Sequence, residues 1–489
     1  MKDFFLLIIL LPILGFGQIQ IGADIDGEAA GDRLGTSVSL SADGLVMAVG
    51  GSRNDSNGSN SGHVRVYANT SNTWVQVGDD IDGEATFDVS GIDVSLSSDG
   101  SVLAIGAFSN DGNGSNSGHV RIYTNTSGSW IQIGADIDGE AAGDFSGEAV
   151  SLSSDGSVVA IGASNNDGNG PNSGHVRVYQ NISDSWIQVG ADIDGEAAID
   201  LSGDALSLSS DGSVIAIGAP NNDGNGEDSG HVRVYKNISD SWIQIGNDLD
   251  GEAAGDKFGQ SVSLSSDGSV LAIGGQYNNG NGSVSGHVRA YKNISDNWVQ
   301  IGADIDGEAM DNQSGSSVSL SSDGSVLAIG ASNNDENGTD SGHVRVYQNI
   351  SGSWTQIGND IDGEAAGDLS GNTVDLSSDG SILAIGAFFN DGNGTDSGHV
   401  RVYNLSSVLT TDSFVHQQFS LYPNPAKDQF TIKIESGIKL KSVSIYNNIG
   451  QLLLTSKESN INTSNLVSGL YIVTMETNKG KVSKKLILE

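Results

Sequence analysis

The residues best equipped for chemistry in this chain are acidic, and they return every 56 positions. Each copy carries Asp-x-Asp-Gly-Glu: Asp24, Asp26 and Glu28; Asp80, Asp82 and Glu84; Asp136, Asp138 and Glu140; Asp192, Asp194 and Glu196; Asp248, Asp250 and Glu252; Asp304, Asp306 and Glu308; Asp360, Asp362 and Glu364. Hard carboxylate oxygens beside a permissive glycine suit Ca²⁺, so these residues are candidate metal ligands, and Ca²⁺ is the one cofactor the sequence suggests. A second loop in each copy, such as Asp111 and Asn113, would add oxygens from the same end. The alternative is that Asp and Asn serve only the turns. The fifth copy, Gln276-Tyr277-Asn278-Asn279-Gly280-Asn281, has no Asp in that loop.

Histidine follows Ser-Gly at 63, 119, 175, 231, 287, 343 and 399, and Ser-Ser-Asp also recurs, which together hold the components of a hydrolytic triad. A triad is defined by geometry, however, and one active site needs one asymmetric constellation. Seven equivalent histidines and the arginines two residues later therefore read as structural. Residues peculiar to single copies are the better binding candidates: Phe108, Tyr277, Phe388 and Phe389 in the second loop, Phe87 and Met310 in the acidic one. Such side chains either stack on sugars or partners, or cap the core.

Short strands must position all of these. In one copy Val94-Ser95-Leu96-Ser97 alternates with period two, Asp99-Gly100 is a hairpin signal, and Val102 to Ala107 is a buried run. His119 to Tyr123 and Trp130 to Ile133 supply two more strands. Four antiparallel strands per unit, repeated seven times, predict an all-β, seven-bladed β-propeller over 18–404. The last unit stops at Tyr403 with three strands, while an unmatched Ile19-Gln20-Ile21-Gly22 stands near the start. This N-terminal strand is expected to close the last blade, with Gln18 where the other copies have tryptophan. Those tryptophans (74, 130, 186, 242, 298 and 354) are expected to be buried. Antiparallel order puts both acidic loops of every unit on one face.

Residues 1–17 have the charged start, short apolar run and small residues of a secretory signal. No stretch is long and apolar enough for a transmembrane helix. After a linker over 405–418, residues 419–489 form a second β pattern, expected to be a small β-sandwich. Cysteine is absent, which excludes disulfides, thiolate metal sites and thiol nucleophiles. The net charge is −39; from Asp412 onward there are nine Lys and six acids, so the preceding residues carry −42. A surface this acidic excludes nucleic acid as a partner.

Two resemblances follow from these residues. Asp256-Lys257-Phe258-Gly259-Gln260-Ser261-Val262 with Leu271-Ala272-Ile273-Gly274-Gly275 resembles an FG-GAP repeat, the unit of the integrin α-chain propeller, and the likeness extends over all seven copies. Gly218-Ala219-Pro220 keeps the second half of that signature, while Leu34-Gly35 and Phe145-Ser146-Gly147 depart from the first. The family often holds Ca²⁺ in an Asp-rich hairpin between its first two strands. Here that hairpin is Ser97-Ser98-Asp99-Gly100-Ser101, so those ligands do not carry over. The tail resembles the C-terminal sorting domain of the Bacteroidetes type IX secretion system, through Tyr422-Pro423-Asn424-Pro425, Ser444 to Gln451, Leu466 to Tyr471 and Lys481 to Leu488. That resemblance implies export by this machinery, and a protein secreted or attached to the outer cell surface.

The expected function is non-enzymatic binding or adhesion to an extracellular protein or glycan, with Ca²⁺ as a possible requirement. A polysaccharide hydrolase or lyase on a propeller scaffold and a structural surface-layer or matrix component are the alternatives. An enzyme would need acids or histidines unique to one or two blades near the axis, and none stands out in the sequence. The expectation is therefore no catalytic residue.

Overall fold

The computed structural model describes residues 17–409, 419–434, 439–447, 452–477 and 480–488. The expected signal segment, apart from Gly17, and linker residues 410–418 lie outside them. The chain divides into two compact units, Met1–Val408 and Leu409–Glu489.

The first unit is a β-propeller of seven antiparallel sheets. In the third blade the strands run Val150–Leu152, Val158–Ala163, His175–Asn181 and Trp186–Gln188, each paired with the next. A two-residue strand, Ile193–Asp194, also pairs with the third. The innermost strands alternate because their two sides meet different surroundings. Val150 and Leu152 are buried between blades, while Ser151 is turned to the axis and stays half-exposed. The second strand is buried throughout its last five residues, so it reads as a continuous apolar run with a glycine. Gly162 must be glycine: a Cβ there would collide with the Gly203 carbonyl of the next blade.

Two closed belts hold the axis. In the first, the inner-strand N–H of Leu96, Leu152, Leu208, Leu264, Leu320 and Leu376 each donates to a serine hydroxyl of the preceding blade, at 3.0–3.1 Å. The seventh step is made by a carboxylate, with Leu40 N–H donating to Asp375 at 2.7 Å. The second belt joins the Asp-Gly hairpins backbone to backbone, from Ala42 to Ser98, Ser154, Ser210, Ser266, Ser322, Ser378 and back to Ala42.

The ring closes as the sequence predicts. Ile19–Gln20 pairs with His399–Asn404, in the register Ile19↔Asn404 and Gln20↔Tyr403, and Ile25 and Asp26 pair with Val400 and His399. Gln18 replaces tryptophan functionally as well as positionally, donating to the Asn359 carbonyl at 2.6 Å and accepting from its N–H.

The tryptophans differ from expectation. They are half-buried on the outer strands, because the blade's fourth strand faces solvent on its far side. Five of the six, all but Trp354, link blades through the indole N–H: Trp186 donates to the Ile133 carbonyl of the preceding blade at 3.0 Å, over Gly134. Trp186→Ala should therefore cost about 1–2 kcal/mol, from partial apolar burial and one hydrogen bond. Leu103→Ala, at a fully buried site, should cost about 2–5 kcal/mol. Urea unfolding of the two variants would order these costs, and equal losses would mean the tryptophan carries more than a peripheral contact.

The second unit has two antiparallel sheets, one of three strands and one of four. They share a core of Phe430 and Ile432 from the first sheet and Val443, Ile445, Val473, Met475 and Leu486 from the second. No helix among the described residues is long and apolar enough to cross a membrane.

Candidate functional site

The predicted acidic triplets do not converge on one point. Each loop's middle Asp pairs in the short strand with a histidine, as Asp138 does with His119. Its backbone carbonyl accepts from the next blade's arginine, Arg177 to Asp138 at 2.7 Å. The flanking acids lean opposite ways. Asp136 accepts from Gln132 at 2.6 Å and lies 3.9 Å from His119. Glu140 lies 4.0 Å from His175 and 3.8 Å from Arg177, one blade further on. Each buried histidine thus faces the Glu of the loop entering its blade and the Asp of the loop leaving it: Glu28 and Asp80 at His63, Glu84 and Asp136 at His119, Asp24 and Glu364 at His399.

The other loop acids serve turns. The Asp144 carboxylate accepts from the Ala141 N–H at 2.9 Å and from Asn166 at 3.2 Å. Asn113 donates to the carbonyls of Gly139 and Glu140, and Asp111 accepts the Asn116 N–H. The hairpin that in FG-GAP proteins holds Ca²⁺ does not fit an ion here. The Asp99 carboxylate accepts from Ser97, the Ser101 N–H and the Ser101 hydroxyl at 2.7–2.9 Å, and no second acid stands in the turn. Burial holds the His119 and His175 imidazoles below their ordinary pKa, with the adjacent arginine acting in the same direction, so both are neutral rather than catalytic cations.

The asymmetry an active site requires lies on the axis. The inner strands surround a channel of about 390 Å³. Its end on the hairpin face is tied by the backbone belt, whereas the end on the acidic-loop face is lined by the one inner position that differs in every blade: Thr36, Ile92, Glu148, Asp204, Gln260, Ser316 and Asn372. Glu148 and Asp204 stand in adjacent blades. Both are half-buried, and neither has a counterpart acid elsewhere in the ring. Burial, reinforced by the Glu148 charge, pushes Asp204 up to about 7, against the pull of Lys257. Burial also raises Glu148, opposed by the hydroxyl of Ser164, which donates to it. Gln260 donates to Asp204 at 2.7 Å. Lys257 donates to Asn221 at 2.6 Å, which fixes its ammonium nearby.

Several copy-specific side chains pack against one another in the loops that precede and follow these strands. Phe145, three residues before Glu148, meets Phe108 edge to face at 5.4 Å between centroids. Phe388 and Phe389 pack together, with Arg33 4.5 Å over the second ring. Of the remaining predicted candidates, Tyr277 is half-buried, whereas Phe87 and Met310 are exposed on the loop face.

Deeper in the channel, Asp93 accepts the Val150 N–H at 2.7 Å, and Asp375 closes the serine belt. Burial pushes Asp93 up to about 7 and Asp375 up to about 6. A raised carboxyl stabilises the fold fully below its unfolded pKa near 3.8, and that contribution is lost as pH rises through the folded value. Asp375→Ser restores the belt residue of the other blades. It should raise stability at pH 8 relative to the parent by about 1–3 kcal/mol and leave it nearly unchanged at pH 4. Melting temperatures at the two pH values would test this; an equal shift at both would contradict it.

Comparison with known proteins bears on both units. Residues 420–489 match the family described as Secretion system C-terminal sorting domain. This is the type IX sorting domain, so the protein is exported through that machinery, to be secreted or attached at the outer cell surface. Over 93 residues, 18% of this chain, the sequence is 39% identical to Ulvan lyase NLR42 of Nonlabens ulvanivorans. The match spans 17% of that protein's length. A solved structure from Bacteroides uniformis, assigned as a 6-phosphogluconolactonase, aligns with a TM-score of 0.47 at 13% identity, covering 67% of this chain and 85% of its own.

The expectation that the chain is not an enzyme is corrected by the lyase match. The sequence reading found no acid peculiar to one or two blades near the axis; Glu148 and Asp204 are such a pair.

Proposed function

We propose that this is an exported polysaccharide-cleaving enzyme, with Glu148 and Asp204 as an acid–base pair at the mouth of the axial channel. The observation that carries the reading is their placement: two acids in neighbouring blades, at a position where no other blade has one. Burial and the Glu148 charge push Asp204 up to about 7, so near neutral pH a fraction of it is protonated and can donate. A glycosidic oxygen needs a proton as its bond breaks, and the protonated partner supplies it. The ionised partner accepts a proton from water in hydrolysis, or from a sugar carbon in elimination. The neighbouring phenylalanines offer apolar faces for sugar rings, and Lys257 and Arg33 offer cations near a surface that is otherwise strongly acidic.

The partial identity to an ulvan lyase supports a polysaccharide substrate, and the likeness of the blades to FG-GAP repeats belongs to the same proposal. The test is incubation of the purified protein with ulvan and with neutral polysaccharides. Chain shortening is expected. New ultraviolet absorbance from an unsaturated sugar would identify elimination, and new reducing ends without it would identify hydrolysis. Cleavage retained by the Glu148→Gln, Asp204→Asn double variant would reject the assignment.

Adhesion of the same face to an extracellular protein or glycan has one supporting observation of its own. Phe87 and Ile199 are exposed in left-handed conformations, with φ of 71° and 72°. Four other blades place glycine there, at 31, 143, 255 and 367, and a branched side chain held in that conformation is costly.

A further inference from the structure

Blade 6 differs from the others at its rim. The position that is glycine at 112, 168, 224, 280 and 392, and serine at 56, is Glu336. Its side chain joins Glu308 from the loop entering the blade, Asp360 from the loop leaving it, and His343. One ligand atom from each of the four lies within 4.8 Å of all the others.

The His343 side chain is fully buried, and neither of its nitrogens has a hydrogen-bond partner. Its Nδ1 points at the Asp360 carboxylate from 3.9 Å, too far for a hydrogen bond. A neutral imidazole carries one proton, so each tautomer leaves a buried nitrogen unsatisfied. Two donors each about 2 Å from one tetrahedral ion stand roughly 3.3 Å apart, so a small closure of this pair would let the two share a cation. Charge points the same way. Three carboxylates meet one nearby arginine, Arg345, 3.6 Å from Glu308, leaving a formal charge of −2. Two of the carboxylates are exposed, which leaves room for water to complete the shell.

We propose that Glu308, Glu336, His343 and Asp360 bind one divalent transition metal of the zinc or manganese class in blade 6. The imidazole nitrogen favours these ions over Ca²⁺, which prefers an all-oxygen shell. The other blades combine the histidine with acids from the two flanking loops and cannot supply a carboxylate from the Glu336 position. The site stands apart from the axial acids and does not depend on their assignment.

The test is calorimetric titration of chelator-treated protein with Zn²⁺ in excess Ca²⁺, the Ca²⁺ occupying sites made of carboxylates alone. One Zn²⁺ per chain is expected. Glu336→Gly installs the residue of five other blades, so the fold should be kept. Loss of a group merely supporting a ligand already weakens metal binding about 10–100-fold, so this variant should lose at least about tenfold in affinity. No binding, binding near seven ions per chain, or an unchanged affinity in Glu336→Gly would each overturn the proposal.

Discussion

Asp204→Asn should lower polysaccharide cleavage by about 10²–10⁴-fold, the usual contribution of a positioned acid or base. Glu148→Gln should fall in the same range, and the double variant little further, because the two act as one unit. Misfolding would not account for such a loss. Burial disfavours the ionised form of Asp204, which titrates at about 7 in the fold against 3.8 unfolded, so the parent loses stability as pH rises through 7. The asparagine variant has no charge to desolvate and should melt no lower than the parent at pH 8. The pH profile supplies a second readout. Lys257 lowers the Asp204 pKa, so Lys257→Met should shift the limb governed by Asp204 to higher pH. A merely structural lysine would change the rate without moving the profile. If Asp204→Asn cleaves within about threefold of the parent, the axial pair is not the catalytic centre.

The propeller was legible because its determinants are the constant residues. The alternation of Val150-Ser151-Leu152, the Asp-Gly hairpins and the unmatched Ile19-Gln20 at the start fix strand, turn and closure without reference to the whole. The catalytic candidates were hidden for the converse reason. Glu148 and Asp204 belong to no motif, and their importance rests on one register fact: the residue two before each inner-strand valine or equivalent lines the axis. A comparison of the seven copies position by position would have shown two acids there, but only the folded ring shows that this position faces a shared channel. The acidic triplets are divided by the fold. Their regular spacing suggests one ligand set per loop, yet the middle Asp is held in a β-bridge, so Asp136 and Glu140 turn to different histidines. Tryptophan burial was overestimated because an outer strand with one wet face looks, in sequence, much like an inner one.

Removing residues 18–26 should prevent the ring from closing. The deletion takes away both short strands of the last blade, with their four residue pairs to His399, Val400, Tyr403 and Asn404. It also removes two core side chains, Ile21 and Ile25, each contributing about 1.5–3 kcal/mol. Trp74 loses the Ile21 carbonyl that accepts its indole N–H at 3.1 Å, and the Asn359 backbone loses the hydrogen bond it accepts from Gln18 and the one it donates to it. The summed loss is about 5–10 kcal/mol, which rivals the whole stability of an ordinary domain. What remains exposes His399–Asn404 as an unpaired strand edge beside Val400 and Val402, both buried in the intact ring. Such an edge recruits other chains, so aggregation should accompany the loss. The control is removal of 409–489, a separate compact unit with its own core, which should leave the propeller's melting transition in place. Thermal melts of the two truncations, made in parallel, decide the matter. A chain lacking 18–26 that melts within a few degrees of the parent would mean that the two axial belts, rather than the borrowed strands, hold the ring together.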